Sequence, residues 1–234
     1  MVGVPASIDN DIGHCGLSIG VDTAVNTIVD ACDRISDTAR AHRRVFVVEV
    51  MGRKCGFLAM RAGIAAQADV ILYSEQNWEE DALLQRLRSM VGESFGPGKQ
   101  KNRFLIIKSE GVEVETARIV DRLQRYMNVD APEVDVRSTV LGHIVRGGRP
   151  SALDRVIAQR LAFTAVQCCV QGISDVMATW AVESAVGAAT KDPYVRLVKL
   201  SEMIEESARL EQGTSPVVKR RIALLNEVAD LLAL

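Results

Sequence analysis

Two aspartates separated by one residue stand near the start of the chain, in the loop "VPASIDND". In an extended segment side chains alternate, so Asp9 and Asp11 would project from one side and Asn10 from the other. A carboxylate held beside hydroxyl or phosphate groups can take a proton as a general base or help to bind magnesium. An Asx turn that only shapes the loop is the alternative. The spacing alone leaves both interpretations open.

A second group of functional residues follows the apolar run of residues 45–50. Met51, Gly52 and Arg53 come directly after this predicted strand. The guanidinium is planar and permanently charged, and it can bind a phosphate through two hydrogen bonds. Gly52 would let a ligand approach the backbone closely. An arginine that pairs with a surface carboxylate is the alternative.

Two later loops carry further acidic and basic side chains near predicted strand ends. Glu110 stands where the strand "RFLIIK" should end and could accept hydrogen bonds from sugar hydroxyls, although an exposed turn carboxylate is the alternative. In "LGHIVRGG", His143 and Arg146 are three residues apart, and His143 could instead be a core histidine. Arg44 and Arg137 add positive charge at strand ends. In a chain whose net charge is −2, such local clustering suggests a phosphorylated substrate.

These loops must be positioned by alternating helices and strands. Helical spacing of apolar residues is clear at 20–40, and the β-branched run 45–50 is typical of a buried parallel strand. The pattern further predicts helices at 58–67, 78–91, 115–127, 152–172 and from 216, and strands at 69–73, 103–108, 134–142 and 175–180. It predicts an α/β fold in which helices cover parallel sheets, with ligands at the carboxyl ends of the strands.

The composition excludes several classes of protein. The chain has 234 residues, of which 48% are hydrophobic and 25% charged, so it can bury one or two cores. The small net charge gives no general attraction to nucleic acid or lipid, and no apolar run approaches the roughly 20 residues that span a bilayer. The five cysteines include no CxxC pair. We expect a cytoplasmic protein with reduced thiols that binds neither nucleic acid nor membrane.

Taken together, the loops resemble the ATP-dependent 6-phosphofructokinase family. The segments that carry the resemblance are "GVPASIDNDI", "IGVDTAVNTIVDACDRISDTARAHRR", "VVEVMGRKCGFLA" and "STVLGHIVRGGRPSALDR". The resemblance implies parallel-sheet sandwich domains of the phosphofructokinase type. It also implies a glycolytic kinase that transfers the γ-phosphoryl group of ATP to the 1-hydroxyl of fructose 6-phosphate.

The resemblance assigns a role to each candidate residue. Asp9 would take the proton of the 1-hydroxyl, with Ser7 and Asp11 beside it, and Arg53 would steady the charge of the transferring group. The residues that would hold the sugar are Met51, Gly52 and Glu110.

The 6-phosphate would be bound by two subunits. By similarity, His143 and Arg146 bind it within one subunit, while Arg44 and Arg137 reach across from a neighbour. The resemblance therefore implies a homo-oligomer, a dimer or a tetramer, whose subunits share their sites.

The resemblance also implies that part of the family pattern is missing. Family members carry, before this aspartate loop, a glycine-rich segment that cradles the nucleotide phosphates and an aspartate for magnesium, and no comparable cradle occurs here. We expect a truncated chain in which residues 1–20 and 143–195 are the remnant of an incomplete nucleotide-side domain. Residues 21–142 and 196–234 would form the sugar-phosphate-side domain. Mg²⁺ would arrive with ATP, and its main ligands would lie in the missing segment.

Removal of a domain would leave apolar faces exposed at residues 2–19 and 152–180. Two alternative functions stay open. One is a noncatalytic fructose 6-phosphate-binding or regulatory subunit. The other is a pyrophosphate-dependent phosphofructokinase, although Ala6 stands where pyrophosphate users generally carry lysine.

Overall fold

The computed structural model of the chain describes residues 1–96, 101–180 and 187–232. The chain divides into two compact units. The first unit comprises Met1–Asn26 and Arg146–Leu234, and the second unit comprises Thr27–Val145. Each unit has its own four-stranded sheet.

The second unit contains a fully parallel sheet with the strand order β3-β4-β2-β5. Its strands are β2 (Arg44–Val50), β3 (Val70–Leu72), β4 (Arg103–Ser109) and β5 (Asp135–Val140). Its helices are α2 (Phe57–Ala65), α3 (Glu80–Phe95) and α4 (Thr116–Asp130), and α1 (Val21–His42) leads into β2. The α/β fold with a parallel sheet, predicted from the alternating pattern, is confirmed here.

The core of the second unit lies between one face of this sheet and the helices α3 and α4. Alternate strand residues such as Val45, Val47, Phe104 and Ile106 are at most 1% exposed and pack in one cluster with the apolar faces of these helices. Full burial of a side chain of this size contributes about 1.5–3 kcal/mol, so the cluster fixes the register of the strands. A fixed register in turn fixes where each strand ends and its loop begins.

The first unit contains a mixed sheet with the strand order β1-β6-β8-β7. Its strands are β1 (Val2–Gly3), β6 (Val176–Trp180), β7 (Ala188–Ala189) and β8 (Val195–Lys199), and its helices are α5 (Ala152–Val170), α6 (Leu200–Glu211) and α7 (Pro216–Leu232). The pair β1 and β6 is parallel, whereas β8 is antiparallel to both β6 and β7. The expectation of parallel sheets thus holds for the second unit and only in part for the first.

The carboxyl-terminal segment differs from the expected domain assignment. Residues 196–234 were expected to join 21–142, but β8 pairs with β6 along its whole length and α6 packs against both strands. The segment therefore belongs to the first unit. The pairing joins strands across an intervening stretch of chain, so the local pattern carried no sign of it.

Helix α5 carries apolar side chains on its solvent side. Phe163, Val166 and Val170 are 64%, 61% and 83% exposed, while Ile157 and Leu161 on the opposite side are buried. Exposed apolar side chains were expected in residues 152–180, and α5 has them. Within the described ranges, no helix combines the length and the apolarity needed to cross a lipid bilayer.

Candidate active site

Glu110 joins the loops that follow the two central strands of the second unit. Strands β2 and β4 are parallel neighbours, so Val50 and Ser109 end side by side. The backbone N–H of Glu110 donates to the carbonyl of Val50 at 2.8 Å. The Oε1 atom of Glu110 then accepts the backbone N–H groups of Gly52 at 3.1 Å and Arg53 at 2.8 Å. One carboxylate oxygen therefore holds the two loops together.

The backbone of Gly52 and Arg53 forms a small anion-binding concavity. Gly52 has φ of 144° and Arg53 has φ of 50°, so both lie in the left-handed region that ordinary residues avoid. In such a turn, successive N–H groups converge on one point, and here that point is the Glu110 carboxylate. These two loop amides are thus satisfied by the protein itself.

This arrangement gives Gly52 a role inside the protein, in addition to the expected close approach of a ligand to its backbone, which stays a prediction. Gly52 is buried, and a Cβ atom there would lie 2.5 Å from the carbonyl oxygen of Cys55. The glycine is required by its positive φ and by this internal approach. Met51 is also buried, whereas the side chain of Arg53 is exposed.

Gly111 is a site residue that sequence reasoning missed. A Cβ atom at this position would lie 2.0 Å from the carbonyl oxygen of Arg53, closer than any side chain tolerates. Glu110 therefore supplies the hydrogen-bond acceptor for the Arg53 loop, and Gly111 leaves room for the carbonyl group of Arg53. The "EG" dipeptide after an apolar strand was the available signal.

His143 and Arg146 lie on a short 3₁₀ helix, Gly142–Arg146, that follows β5. This helix repeats every three residues, so the two side chains project from the same side of it. Both are exposed, while Val145 between them is 1% exposed and anchors the turn. His143 is therefore not a core histidine, and the pair is accessible to an anion.

Arg44 and Arg137 meet at one carboxylate on neighbouring strands. The Nε atoms of Arg44 and Arg137 donate to Asp135 Oδ2 at 3.3 and 2.9 Å. One acid for two guanidinium groups leaves a net positive charge on this part of the sheet. Arg44 begins β2 and Arg53 follows its end, so about 20 Å of strand separates their backbones. The structure does not bring Arg44 to the edge where Arg53 and Glu110 lie.

In the first unit, Ser7 ties the aspartate loop together. The hydroxyl of Ser7 donates to Asp11 Oδ1 at 3.0 Å and accepts the backbone N–H of Asp9 at 3.3 Å. Asp9 is 4% exposed, whereas Asp11 is half-buried. The three residues expected to act together are therefore linked within one loop.

The loop is not the extended segment assumed from the sequence. Ile8 and Asp9 form a turn, and Asn10 has φ of 53° and is fully buried. Its side chain accepts the N–H of Ser18 at 3.0 Å and donates to the carbonyl of Gly16 at 3.3 Å. The alternation argument for Asp9 and Asp11 is therefore wrong, because the amide of Asn10 folds the chain into a turn.

Asp154 binds the backbone where this loop leads into α1. It was not identified as a candidate residue from the sequence. It is 2% exposed and accepts the backbone N–H groups of Gly20 and Thr23, both at 2.8 Å. A carboxylate at the start of α1 also interacts favourably with the helix dipole. Nearby, burial raises the pKa of the Cys15 thiol to about 11, so this cysteine is not a nucleophile near neutral pH.

The described part of the chain contains no ready-made cluster of metal-binding side chains. Among residues 1–96, 101–180 and 187–232, no group of three or more histidine, cysteine, aspartate or glutamate side chains is arranged to hold a metal ion. The Asp11 carboxylate accepts a hydrogen bond from Ser7.

Comparison with known proteins identifies the family to which these loops belong. A family model described as Phosphofructokinase matches residues 1–169, which is more than half of the chain. The chain therefore belongs to the phosphofructokinase family.

Two curated relatives are bacterial ATP-dependent 6-phosphofructokinases. The protein of Natranaerobius thermophilus is 42% identical over 177 residues, which is 76% of this chain and 52% of that protein. The protein of Bacillus cereus strain B4264 is 42% identical over 173 residues, or 73% of this chain and 50% of that protein. The chain spans about half the length of these relatives.

A solved structure agrees with this assignment. The structure of phosphofructokinase from Saccharomyces cerevisiae matches with a TM-score of 0.82 and 26% identity, covering 99% of this chain and 31% of that chain. The likeness thus extends past residue 169 into the carboxyl-terminal strands and helices of the first unit.

Proposed function

We propose that this chain is the fructose 6-phosphate-binding part of an ATP-dependent 6-phosphofructokinase. The observation that carries the proposal is the contact of Glu110 with the amides of Gly52 and Arg53, in a chain that belongs to this family. It holds the Arg53 loop and the Glu110 carboxylate beside each other at the carboxyl edge of a parallel sheet, where ligands of α/β proteins bind. The second carboxylate oxygen, Glu110 Oε2, accepts a sugar hydroxyl.

The 6-phosphate is bound by imidazole and guanidinium groups from two subunits. His143 and Arg146 project together from their 3₁₀ helix and bind the phosphate within the chain. Arg44 and Arg137 serve the pocket of a neighbouring copy, because about 20 Å of strand separates Arg44 from the Arg53 loop. The protein therefore works as a homo-oligomer whose copies complete each other's sites.

The reaction moves one phosphoryl group and one proton. The 1-hydroxyl oxygen of the sugar attacks the γ-phosphorus of ATP, the bond to the bridging β,γ-oxygen breaks, and ADP leaves. Asp9 takes the hydroxyl proton, and the hydrogen bonds among Ser7, Asp9 and Asp11 fix the loop that carries it. Arg53 stabilises the charge spread over the oxygens of the transferring group, which is the main requirement of this reaction.

ATP is the proposed donor because the matched curated relatives are ATP-dependent. Magnesium that arrives with ATP would neutralise part of the charge on the phosphates. The same proposal places the chain in the cytoplasm, in keeping with five cysteines that are all free thiols.

The test of the catalytic proposal is reconstitution of turnover. The chain is mixed with the portion of the Bacillus cereus relative that it does not match, and ATP-dependent formation of fructose 1,6-bisphosphate is measured. We expect turnover, and we expect Asp9→Ala to abolish most of it with little change in fructose 6-phosphate affinity, since a base acts mainly in the transition state. Asp30→Asn, on the exposed side of α1, is the control. Near-normal turnover of Asp9→Ala would exclude Asp9 as the base.

A noncatalytic fructose 6-phosphate-binding subunit is the second candidate, and the observation that favours it is the exposed pair His143 and Arg146, which can bind a phosphate without any catalytic group. It predicts binding of fructose 6-phosphate with neither ATP binding nor turnover in the reconstitution. The first candidate predicts turnover in that mixture, so one assay separates the two.

A further inference from the structure

An ion pair between a buried lysine and a partly buried glutamate lies beneath the loops of the second unit, and the function proposed above gives it no role. Lys108 on β4 is 2% exposed, and it stands directly opposite Glu49 on β2 in the parallel register. Its ammonium Nζ donates to Glu49 Oε2 at 3.2 Å. The two residues extend the face formed by Val47 and Ile106, so a charged pair continues an otherwise apolar strand face.

The two residues of the ion pair make hydrogen bonds to three other parts of the unit. Thr116, the first residue of α4, donates its hydroxyl to Glu49 Oε2. The ammonium of Lys108 also donates to the carbonyl of Ser109 at 3.3 Å, and the carbonyl of Glu49 accepts the N–H of Leu141 at 3.0 Å. A lone buried ammonium would be costly, and the Glu49 carboxylate and the Ser109 carbonyl compensate its charge.

Each of these bonds lies next to a loop that carries a candidate substrate residue. The Ser109 carbonyl belongs to the peptide that precedes Glu110, so the Lys108 ammonium fixes the plane of that peptide. Glu49 is two residues before Met51, and its carbonyl holds Leu141, the residue that precedes the 3₁₀ helix of His143. The ion pair therefore lies under the three loops that contain Arg53, Glu110 and His143.

We propose that Lys108 is a positioning residue: its ammonium orients the Glu110 peptide and so keeps the Glu110 carboxylate on the amides of Gly52 and Arg53. Lys108 does not touch the substrate, because its side chain is buried beneath the loop. The inference rests on the proposed function only in treating these loops as the substrate site.

The test separates positioning from simple stabilisation through two variants. Lys108→Met removes the ammonium and leaves the Glu49 carboxylate without its cation, so we expect lower stability and faster loop motion. The double variant Glu49→Gln with Lys108→Met removes both charges, and the amide oxygen of the introduced glutamine can still accept the hydroxyl of Thr116. We expect the melting temperature of the double variant to return close to the wild-type value, because no buried charge is left uncompensated.

The decisive readout is amide hydrogen exchange of Gly52 and Arg53, measured by NMR in the full chain. A methionine side chain in place of Lys108 cannot donate to the Ser109 carbonyl, so we expect both amides to exchange about tenfold faster than in the wild type even in the stable double variant. Wild-type exchange rates at these two amides in the double variant would overturn the proposal. Lys101→Met is the matched control, because Lys101 pairs with Asp69 beyond the opposite end of β4. Equal acceleration in that control would also overturn it.

The same variants are titrated with fructose 6-phosphate. We expect the double variant to bind it about tenfold more weakly at restored stability. If the wild-type chain binds no fructose 6-phosphate, the proposed function fails, while the exchange rates still decide whether Lys108 positions the loop.

Discussion

The Oε1 atom of Glu110 accepts the backbone N–H of Arg53 at 2.8 Å, across the ends of two parallel strands. The same oxygen accepts the N–H of Gly52, so two backbone amides hold the Arg53 loop to Glu110. One oxygen of the Glu110 carboxylate thus holds the Arg53 loop in place. In the proposed function, its second oxygen accepts a hydrogen bond from the substrate.

Removal of the Glu110 carboxylate should loosen the Arg53 loop. Glu110→Ala deletes an acceptor for two amides, so we expect a loss of about 1 kcal/mol in unfolding free energy at this exposed position and fructose 6-phosphate affinity lower by about tenfold. Titration calorimetry and urea denaturation measure the two effects. Glu113→Ala, an exposed glutamate on the same loop, is the control and should match the wild type in both. Unaltered affinity in Glu110→Ala would remove Glu110 from the site.

Two glycines should respond to alanine in opposite directions. Gly111→Ala places a methyl group 2.0 Å from the Arg53 carbonyl, so the loop must shift and we expect lost substrate affinity together with lower stability. Gly92→Ala has open space within helix α3 and should raise the unfolding free energy by about 0.5–1 kcal/mol. Thermal melts of both variants check this. A Gly111→Ala chain with wild-type affinity would contradict the role given to this loop.

A site shared between copies can be tested by mixing variants that bind poorly alone. Arg146→Ala damages a chain's own pocket, and Arg44→Ala damages the pocket of its neighbour. After unfolding and joint refolding, mixed dimers of these two variants contain one intact pocket, so fructose 6-phosphate binding should partly return. The control mixes Arg44→Ala with Arg137→Ala, which yields no intact pocket in any dimer. If the first mixture binds no better than the second, the arginines do not act across subunits.

Thiol chemistry should distinguish one cysteine from the other four. Cys169 is exposed, while Cys15, Cys32, Cys55 and Cys168 are buried, so a thiol reagent near pH 8 should label Cys169 in the folded chain and all five after unfolding. Burial raises the pKa of Cys15 and Cys32 to about 11. The unfolded chain loses these protons at lower pH than the folded chain, so unfolding free energy should fall as pH rises from about 9 to 11. Constant stability over that range, or rapid labelling of several thiols in the folded chain, would contradict this.

Local patterns predicted most of the elements correctly. The helical spacing from Val21 and the β-branched run to Val50 appear as α1 and β2, because amphipathic periodicity reflects burial directly. The start of the last helix is confirmed in detail: Ser215 accepts the N–H of Val217, with Pro216 in the first helical position.

Features that depend on contacts between residues far apart in sequence could not be predicted from local patterns. Strand β8 and helix α6 were not predicted from the sequence, and their place in the first unit follows from the pairing of β8 with β6 and the packing of α6 on both strands. The function of Gly111 depends on the carbonyl of Arg53, which is far away in sequence. A charged residue within each of two apolar strands, Glu49 and Lys108, was the one visible sign of the buried ion pair.

The most direct test of the central claim is titration of the folded chain with fructose 6-phosphate, beside fructose and inorganic phosphate. The account predicts saturable binding of fructose 6-phosphate with a dissociation constant of about 1 mM or lower, and much weaker binding of fructose. It also predicts that Arg146→Ala weakens this binding about tenfold or more, whereas Arg34→Ala, whose arginine pairs with Asp30 on the exposed side of α1, leaves it unchanged. A folded chain without saturable binding, or an Arg146→Ala variant with wild-type affinity, would contradict it.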